Sequence, residues 1–242
     1  MKKLEPIRVP WKPVDGLIVF GLAWIGVPVV LIIFMRLASP LVPIFGTLLV
    51  SFRNGDIVAS FVFAIVNAVA ALGVIAFYLH RYHASWQDLG WRKFNFARTI
   101  MYLVIGFILF LVIIQLTFMA LVWLVPSFNP AQPQTNDFTA PTTSLGRQLS
   151  LIALVLLPPV VEETVFRGFI FPAFSKWRGE VVGAIMTSIL FGFAHLQYNV
   201  SIYTLILSLI LCYMYWRLRS IWPGVALHMI NNYIAYSAII KK

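Results

Sequence analysis

The sequence predicts an all-α protein, a polytopic transmembrane helical bundle of about seven to eight spans. Three observations predict it. Of 242 residues, 61% are hydrophobic and only 11% charged, against roughly 25% charged in a soluble globular domain. The apolar residues gather into runs long enough to cross about 30 Å of hydrocarbon. The basic residues behind the net charge of +10 stand mostly between those runs. So few charges could not cover an ordinary core with polar surface, so the chain needs lipid as its solvent. Lys and Arg placed between spans are what membrane orientation requires. That placement sets aside nucleic acid as a partner, which a positive net charge would otherwise suggest.

The runs follow in order. The first, 16–35, ends at Arg36. It is longer than the roughly 7–15 apolar residues of a signal peptide and shows no clear cleavage site, so it reads as a retained first span. The segment 37–55 carries Pro40 and Pro43, then Arg53, Asn54 and Asp56, and reads as a short amphipathic or re-entrant piece. It makes the count seven or eight. Further spans are predicted at 57–79, 100–125, 148–172, 181–197, 200–216 and 221–240. Along 181–197, Ala184, Ser188 and Gly192 recur every fourth residue, a stripe that permits close helix packing in lipid.

Two connecting loops are long. The one over 80–98 is basic and aromatic, with Trp86, Trp91 and a Leu89-Gly90-Trp91-Arg92 turn; the one over 126–147 is polar and rich in Pro, Thr and Asn. With the N-terminus inside, Lys2, Lys3, Arg8, Lys12, the basic loop, Lys176, Arg178, Arg217 and Arg219 all fall inside, and the neutral loop outside. Under seven spans Lys241 and Lys242 would lie outside. No internal repeat is visible. Cys212, the only cysteine, lies in an apolar run. It reads as a small buried hydrophobe, and one cysteine allows no disulfide framework or cysteine-based metal site within the chain.

Charged groups inside spans are costly, on the order of 2.5–3.5 kcal/mol each at the bilayer centre on the insertion scale, and they usually mark function. Glu162 and Glu163 nevertheless sit side by side in an apolar span, and Arg167 follows Glu163 by four residues. Residues i and i+4 share a helix face, so Glu163 and Arg167 can pair as a structural tie. Glu162 points about 100° away around the helix and must find its partner on another span. Two histidines also lie in predicted spans. His195 follows Phe191 by four residues, and His228 precedes Asn232 by four, so each pair is expected on one helix face. Spacing leaves catalysis and transport both open. A carboxylate out of water can take and return a proton near neutral pH. An imidazole beside it can hold a water, and a second imidazole with an amide can stabilise an oxyanion. Together these are the parts for adding water to a carbonyl without a covalent enzyme intermediate.

Three patterns line up in chain order: Glu162-Glu163-Thr164-Val165-Phe166-Arg167, Phe191-Gly192-Phe193-Ala194-His195 and His228-Met229-Ile230-Asn231-Asn232. As EExxxR, FxxxH and HxxxN, they resemble the CAAX-protease and bacteriocin-processing (CPBP, or Abi) family of intramembrane proteases. The resemblance covers about 148–240, and the Leu89-Gly90-Trp91-Arg92 turn is similar to that of many bacterial members. It implies that Glu162 activates the attacking water, that His195 orients it, and that His228 and Asn232 form the oxyanion site. Glu163 and Arg167 would support the site. Asn231 adjoins Asn232, but the spacing from His228 favours Asn232. The division expected is a variable N-terminal membrane region over 1–147 and a catalytic helical core over 148–242.

The expected function is therefore hydrolysis of a peptide bond in a membrane-associated peptide or protein. The partners are that substrate and the lipid bilayer, the location a bacterial plasma membrane, and no cofactor is required. Three alternatives stand beside it. His195, His228 and Glu162 with a water could ligate catalytic zinc, although no HExxH helix is present. The chain could be a non-catalytic scaffold for a partner protein. It could also be a proton-coupled carrier, although the repeat symmetry many carriers show is not evident.

Overall fold

The computed structural model describes residues 7, 9–132 and 141–240. Lys2, Lys3, Arg8, Lys241 and Lys242, which entered the predicted orientation, lie outside those residues, as does 133–140 of the neutral loop. Among the described residues there are eight continuous helices and no strand. They are α1 (Pro13–Ala38), α2 (Pro43–Arg53), α3 (Ile57–Arg81), α4 (Phe96–Leu124), α5 (Ser144–Arg178), α6 (Glu180–Phe193), α7 (Tyr198–Leu218) and α8 (Trp222–Ile240). Their starts have local causes. Pro13 and Pro43 stand in the first turns of α1 and α2, where a missing N–H costs nothing. Asp56, Asn95 and Thr143 cap α3, α4 and α5. Their side-chain oxygens accept from the backbone N–H of Ala59 at 2.9 Å, Arg98 at 2.9 Å and Gly146 at 3.0 Å.

Five helices, α1, α3, α4, α5 and α7, are long and apolar enough to cross a membrane, and the chain is a multi-pass all-α membrane protein. Three predicted ranges differ from the structure. The ambiguous segment 37–55 contains α2, an 11-residue helix with no buried residue, set between the ends of α1 and α3. The span predicted over 181–197 stops at Phe193. With 14 residues, α6 is only about 21 Å long, short of the hydrocarbon thickness. The span predicted over 148–172 runs further in both directions, as α5, and two π-helical stretches interrupt it, Ile152–Leu156 and Thr164–Ile170. Such wide turns change which residues share a face and are frequent at functional sites.

Side-chain contacts define the two ends of the bundle. At one end Tyr82, after α3, donates to Asp15 at the start of α1 at 2.7 Å. Lys176, at the end of α5, donates to Val9 O at 2.9 Å. Arg217, near the end of α7, donates to Tyr102 on the first turns of α4 at 3.1 Å. The backbone N–H of Ile221, before α8, donates to Gly90 O at 3.0 Å. Lys12, Arg81, Arg92, Lys93, Arg98, Lys176, Arg178, Arg217 and Arg219 all belong to this end. At the opposite end, Tyr236 near the close of α8 donates to Arg147 O at 2.9 Å. There Asn199, opening α7, donates to Gln132 O beyond α4 at 2.9 Å. Arg36, Arg53 and Arg147 are the described Lys and Arg residues of that end.

Packing is densest around the second half of α5. Val165, Phe166, Phe169, Ile170, Phe171 and Phe174 are buried there. Trp11 stacks on Phe169 with ring centroids 4.6 Å apart and donates through Nε1 to Phe169 O at 2.8 Å. The small-residue stripe of α6 behaves as its spacing predicts. Ser188 and Gly192 are buried, and a Cβ at Gly192 would come within 2.8 Å of Ser201 O on α7. Gly183 extends the effect toward α5, where a Cβ would meet Ser175 N at 2.7 Å. Cys212 is buried, as expected of it.

Candidate active site

The two adjacent glutamates stand at the end of the α-helical stretch Leu157–Glu163 of α5, and they face different surroundings. Glu163 is fully buried and accepts from Arg167 Nη1 at 2.8 Å. The guanidinium is equally buried and lies with its carbon 4.6 Å from the centroid of the Phe191 ring, where a cation is attracted to the π-face. The pairing expected from the i, i+4 spacing is therefore present although Arg167 itself falls in the π-helical stretch. Glu162 turns the other way, with its side chain 20% exposed, into a cavity of about 300 Å³.

His228 of α8 reaches both carboxylates. Its Nδ1 lies 3.1 Å from Glu163 Oε1, within hydrogen-bond range, and its Nε2 lies 3.7 Å from Glu162 Oε2, beyond it. A carboxylate oxygen only accepts, so Nδ1 carries a proton and donates to Glu163. Gly224, one helical turn before His228, permits this approach, since a Cβ there would come within 2.8 Å of Glu163 Oε2. His195 is not on a helix face with Phe191, as its spacing predicted. α6 ends at Phe193, and His195 occupies the turn beyond it. Its ring nonetheless folds back, with Nδ1 2.8 Å from Phe191 O. A carbonyl only accepts, so Nδ1 is the donor, and the neutral ring presents the Nε2 lone pair as an acceptor.

The two asparagines are held by a chain of hydrogen bonds that begins at a backbone carbonyl. In a helix Leu154 O would accept from the residue four or five positions on. Those residues are Pro158 and Pro159, which have no N–H to give. Asn232 Nδ2 donates to the open carbonyl instead, at 3.0 Å. That contact fixes which end of the amide is nitrogen, and its Oδ1 then accepts from Asn231 Nδ2 at 3.3 Å. Asn231 Oδ1 accepts in turn from the Tyr203 hydroxyl of α7. One acceptor-only group thus sets the direction of the whole chain.

Glu162, His195, His228, Asn231, Asn232 and Tyr203 all line the same cavity, together with apolar residues of α4, α5, α7 and α8. Glu163 and Arg167 stand behind it and are not part of its wall. The predicted site residues therefore converge from two helices, α5 and α8, and one turn, and α7 adds Tyr203. Among the described residues, no group of three or more His, Cys, Asp and Glu is spaced to hold a metal ion. Tyr203 and Gly224 carry no signal in the sequence read alone. The open Leu154 carbonyl does, since a Pro-Pro pair four and five residues on announces an unpaired acceptor.

The Leu89-Gly90-Trp91-Arg92 turn ties the site together from outside. Gly90 adopts φ +89°, which a side chain resists. Its carbonyl receives Ile221 N at the start of α8, and Trp91 Nε1 donates to Thr164 Oγ1 of α5 at 3.1 Å. Gly168 lets the turn press on α5, where a Cβ would meet Leu89 O at 2.8 Å. The turn therefore spans the helix that carries the glutamates and the one that carries His228.

These features define a polytopic helical membrane protein with an acid–base cavity inside its bundle. Residues 145–234, which carry α5 to α7 and most of α8, match the family described as type II CAAX prenyl endopeptidase, Rce1-like. No curated protein and no solved structure matches it.

Proposed function

We propose that the protein is an intramembrane endopeptidase that hydrolyses a peptide bond in a membrane-associated peptide or protein, using water activated by Glu162. The observation that carries this reading is the division of labour between the glutamates: Arg167 neutralises Glu163, whereas Glu162 faces the cavity with two imidazoles and two amides. In the proposed step Glu162 takes a proton from water as its oxygen bonds to the carbonyl carbon. His195 Nε2 accepts from the same water and orients it. The oxyanion that forms takes hydrogen bonds from the second N–H of Asn232 and, with the ring protonated on both nitrogens, from His228 Nε2–H. Collapse breaks the C–N bond, and the proton held by Glu162 passes to the leaving nitrogen. Glu163 and Arg167 hold His228 in place. No metal enters this scheme, and cleavage that survives a zinc chelator is its expected signature; loss of activity on chelation, restored by zinc, would shift the assignment to zinc chemistry.

The family description supplies prenylated C-termini as one substrate class; maturation of secreted peptides and self-immunity to a bacteriocin are others. The proposed location is a bacterial plasma membrane. The test compares peptide termini by mass spectrometry in cells carrying wild-type protein or Glu162→Gln at matched expression. Termini that vanish with the variant identify the substrate. An unchanged set, with an unchanged phenotype, would leave a scaffold as the better description.

A further inference from the structure

Glu162 borders a second cavity as well. Between α1, α3 and α5 lies a space of about 230 Å³. Pro158 and Glu162, one helical turn apart, line both this space and the cavity that holds the histidines. Ala64, Ala68 and Ala71 form the α3 wall, and their small side chains leave the room. Trp24, on the α1 wall, stands in a further π-helical stretch, Leu22–Gly26, a feature frequent at functional sites. Among the side chains that line the space, only Asn67, Glu162 and Trp24 carry polar atoms. Asn67 is the one polar side chain of α3 over 61–77, within a span where polar groups are expensive and usually functional. Its Oδ1 is buried and accepts no hydrogen bond from the described residues.

Hydrolysis consumes one water for each bond cut. A peptide lying against His195, His228 and Asn232 takes up the first cavity, so the nucleophile needs a place beside Glu162 that the peptide does not occupy. We infer that the second cavity is a water site, and that Asn67 is the positioning residue that holds a water there for delivery to Glu162. The occupant has to donate to Asn67 Oδ1. An acyl chain has no donor and would leave that oxygen unpaired. Water both donates and accepts, and the Asn67 amide with the Glu162 carboxylate supplies the two to four polar partners that an internal water requires. At about 30 Å³ for each water, the space takes several. In the proposed cycle a water held by Asn67 moves to Glu162 after the preceding one has been spent. No bond is made or broken in that move, and Glu162 still passes its proton to the leaving nitrogen. The delivery role rests on the peptidase reading; the hydration of the cavity does not.

Two measurements separate them. Ala68, buried on the cavity wall, and Val69, exposed beside it on α3, are each replaced by cysteine in the full-length chain, where the native Cys212 is buried. In lipid nanodiscs a charged methanethiosulfonate, which needs a thiolate in water, should modify Ala68→Cys about tenfold faster than Val69→Cys. A rate no faster would show that the cavity is dry and overturn the inference. Ala64→Cys, on the same wall, takes its place if Ala68→Cys does not fold. The second measurement is kinetic. Asn67→Leu keeps the shape of the side chain without its polar atoms. It should melt no lower than wild type, since it removes an unpaired acceptor, while kcat falls about tenfold and KM stays unchanged. Asn67→Ser, whose hydroxyl can again hold a water, should recover most of the loss. A raised KM with kcat intact would make the cavity a substrate subsite, and equal losses in both variants would reduce Asn67 to packing; either overturns its role. If no cleavage depends on Glu162, the peptidase reading falls and the delivery role with it, while the labelling still decides whether the cavity holds water.

Discussion

Replacing Glu163 and replacing Glu162 should have opposite signatures. Glu163→Gln leaves the buried guanidinium of Arg167 without its counter-charge, a change that typically costs on the order of 3–5 kcal/mol. It should lower the unfolding temperature of the purified protein sharply, and a second change, Arg167→Met, should recover part of the loss. Glu162→Gln alters a group that borders the cavity and has no ion pair within hydrogen-bond range, so it should melt close to wild type while cleavage disappears. Equal melting of the two variants would contradict this division. The division itself was legible in the sequence, because a four-residue step to Arg167 singles out one of two adjacent carboxylates. The position of His195 was only half legible. A run of apolar residues does not show where a helix stops, and a ring that reaches back to Phe191 O keeps its place beside the cavity from a turn as well as from a helix. Tyr203 was not legible, because its bond to Asn231 spans 28 residues and follows no local spacing.

Helix geometry makes testable demands of its own. Pro158→Ala would give Leu154 O an N–H of its own, so the carbonyl would no longer require Asn232. The helix should become easier to form, by up to about 3 kcal/mol if the site is typical of helix-interior proline. Asn232 would be free to turn its oxygen toward the cavity. The expected outcome is a protein at least as stable as wild type with cleavage reduced about tenfold, since misplaced groups cost rate steeply. In an Asn232→Ala background the same change should add little, and full additivity would show that Pro158 acts elsewhere. Gly224→Ala tests the neighbouring helix. Its methyl would press on a Glu163 oxygen held by Arg167 and near His228, and both unfolding temperature and turnover should fall, as overpacking typically costs about 1–3 kcal/mol. The helices themselves were largely visible as apolar runs. The π-helical stretches of α5 were not, because a wide turn comes from the balance of packing around the helix rather than from any residue pattern within it.

At the scale of the molecule, the three motifs do not stand alone. The buried cluster around Phe166 and Phe169 includes Trp11 from the segment before α1, Val19 from α1, Ile75 and Tyr78 from α3, and Leu89 from the loop between α3 and α4. A fragment holding only 144–242 would expose that surface and lose the turn that joins α5 to α8. Expressed alone, it should fail to give a cooperative unfolding transition or cleavage; an active fragment would show that α1 to α4 contribute little beyond anchoring. The sequence division at 147 marks where the motifs begin, whereas the packing crosses it, since sequence patterns locate chemistry more readily than they reveal what presses upon it.

The short α6 carries a consequence for the surrounding lipid. Val181, Ile185, Ile189 and Phe193 line its exposed side, so a helix of about 21 Å meets acyl chains that prefer a thicker slab. The bilayer must pinch beside His195 to cover it, at a modest elastic cost for every ångström of mismatch. Thin membranes would relieve that strain and thick ones would increase it. Reconstituted in vesicles of graded acyl-chain length, the protein should therefore lose turnover as the chains lengthen, and a flat profile would show that the membrane does not feel the step.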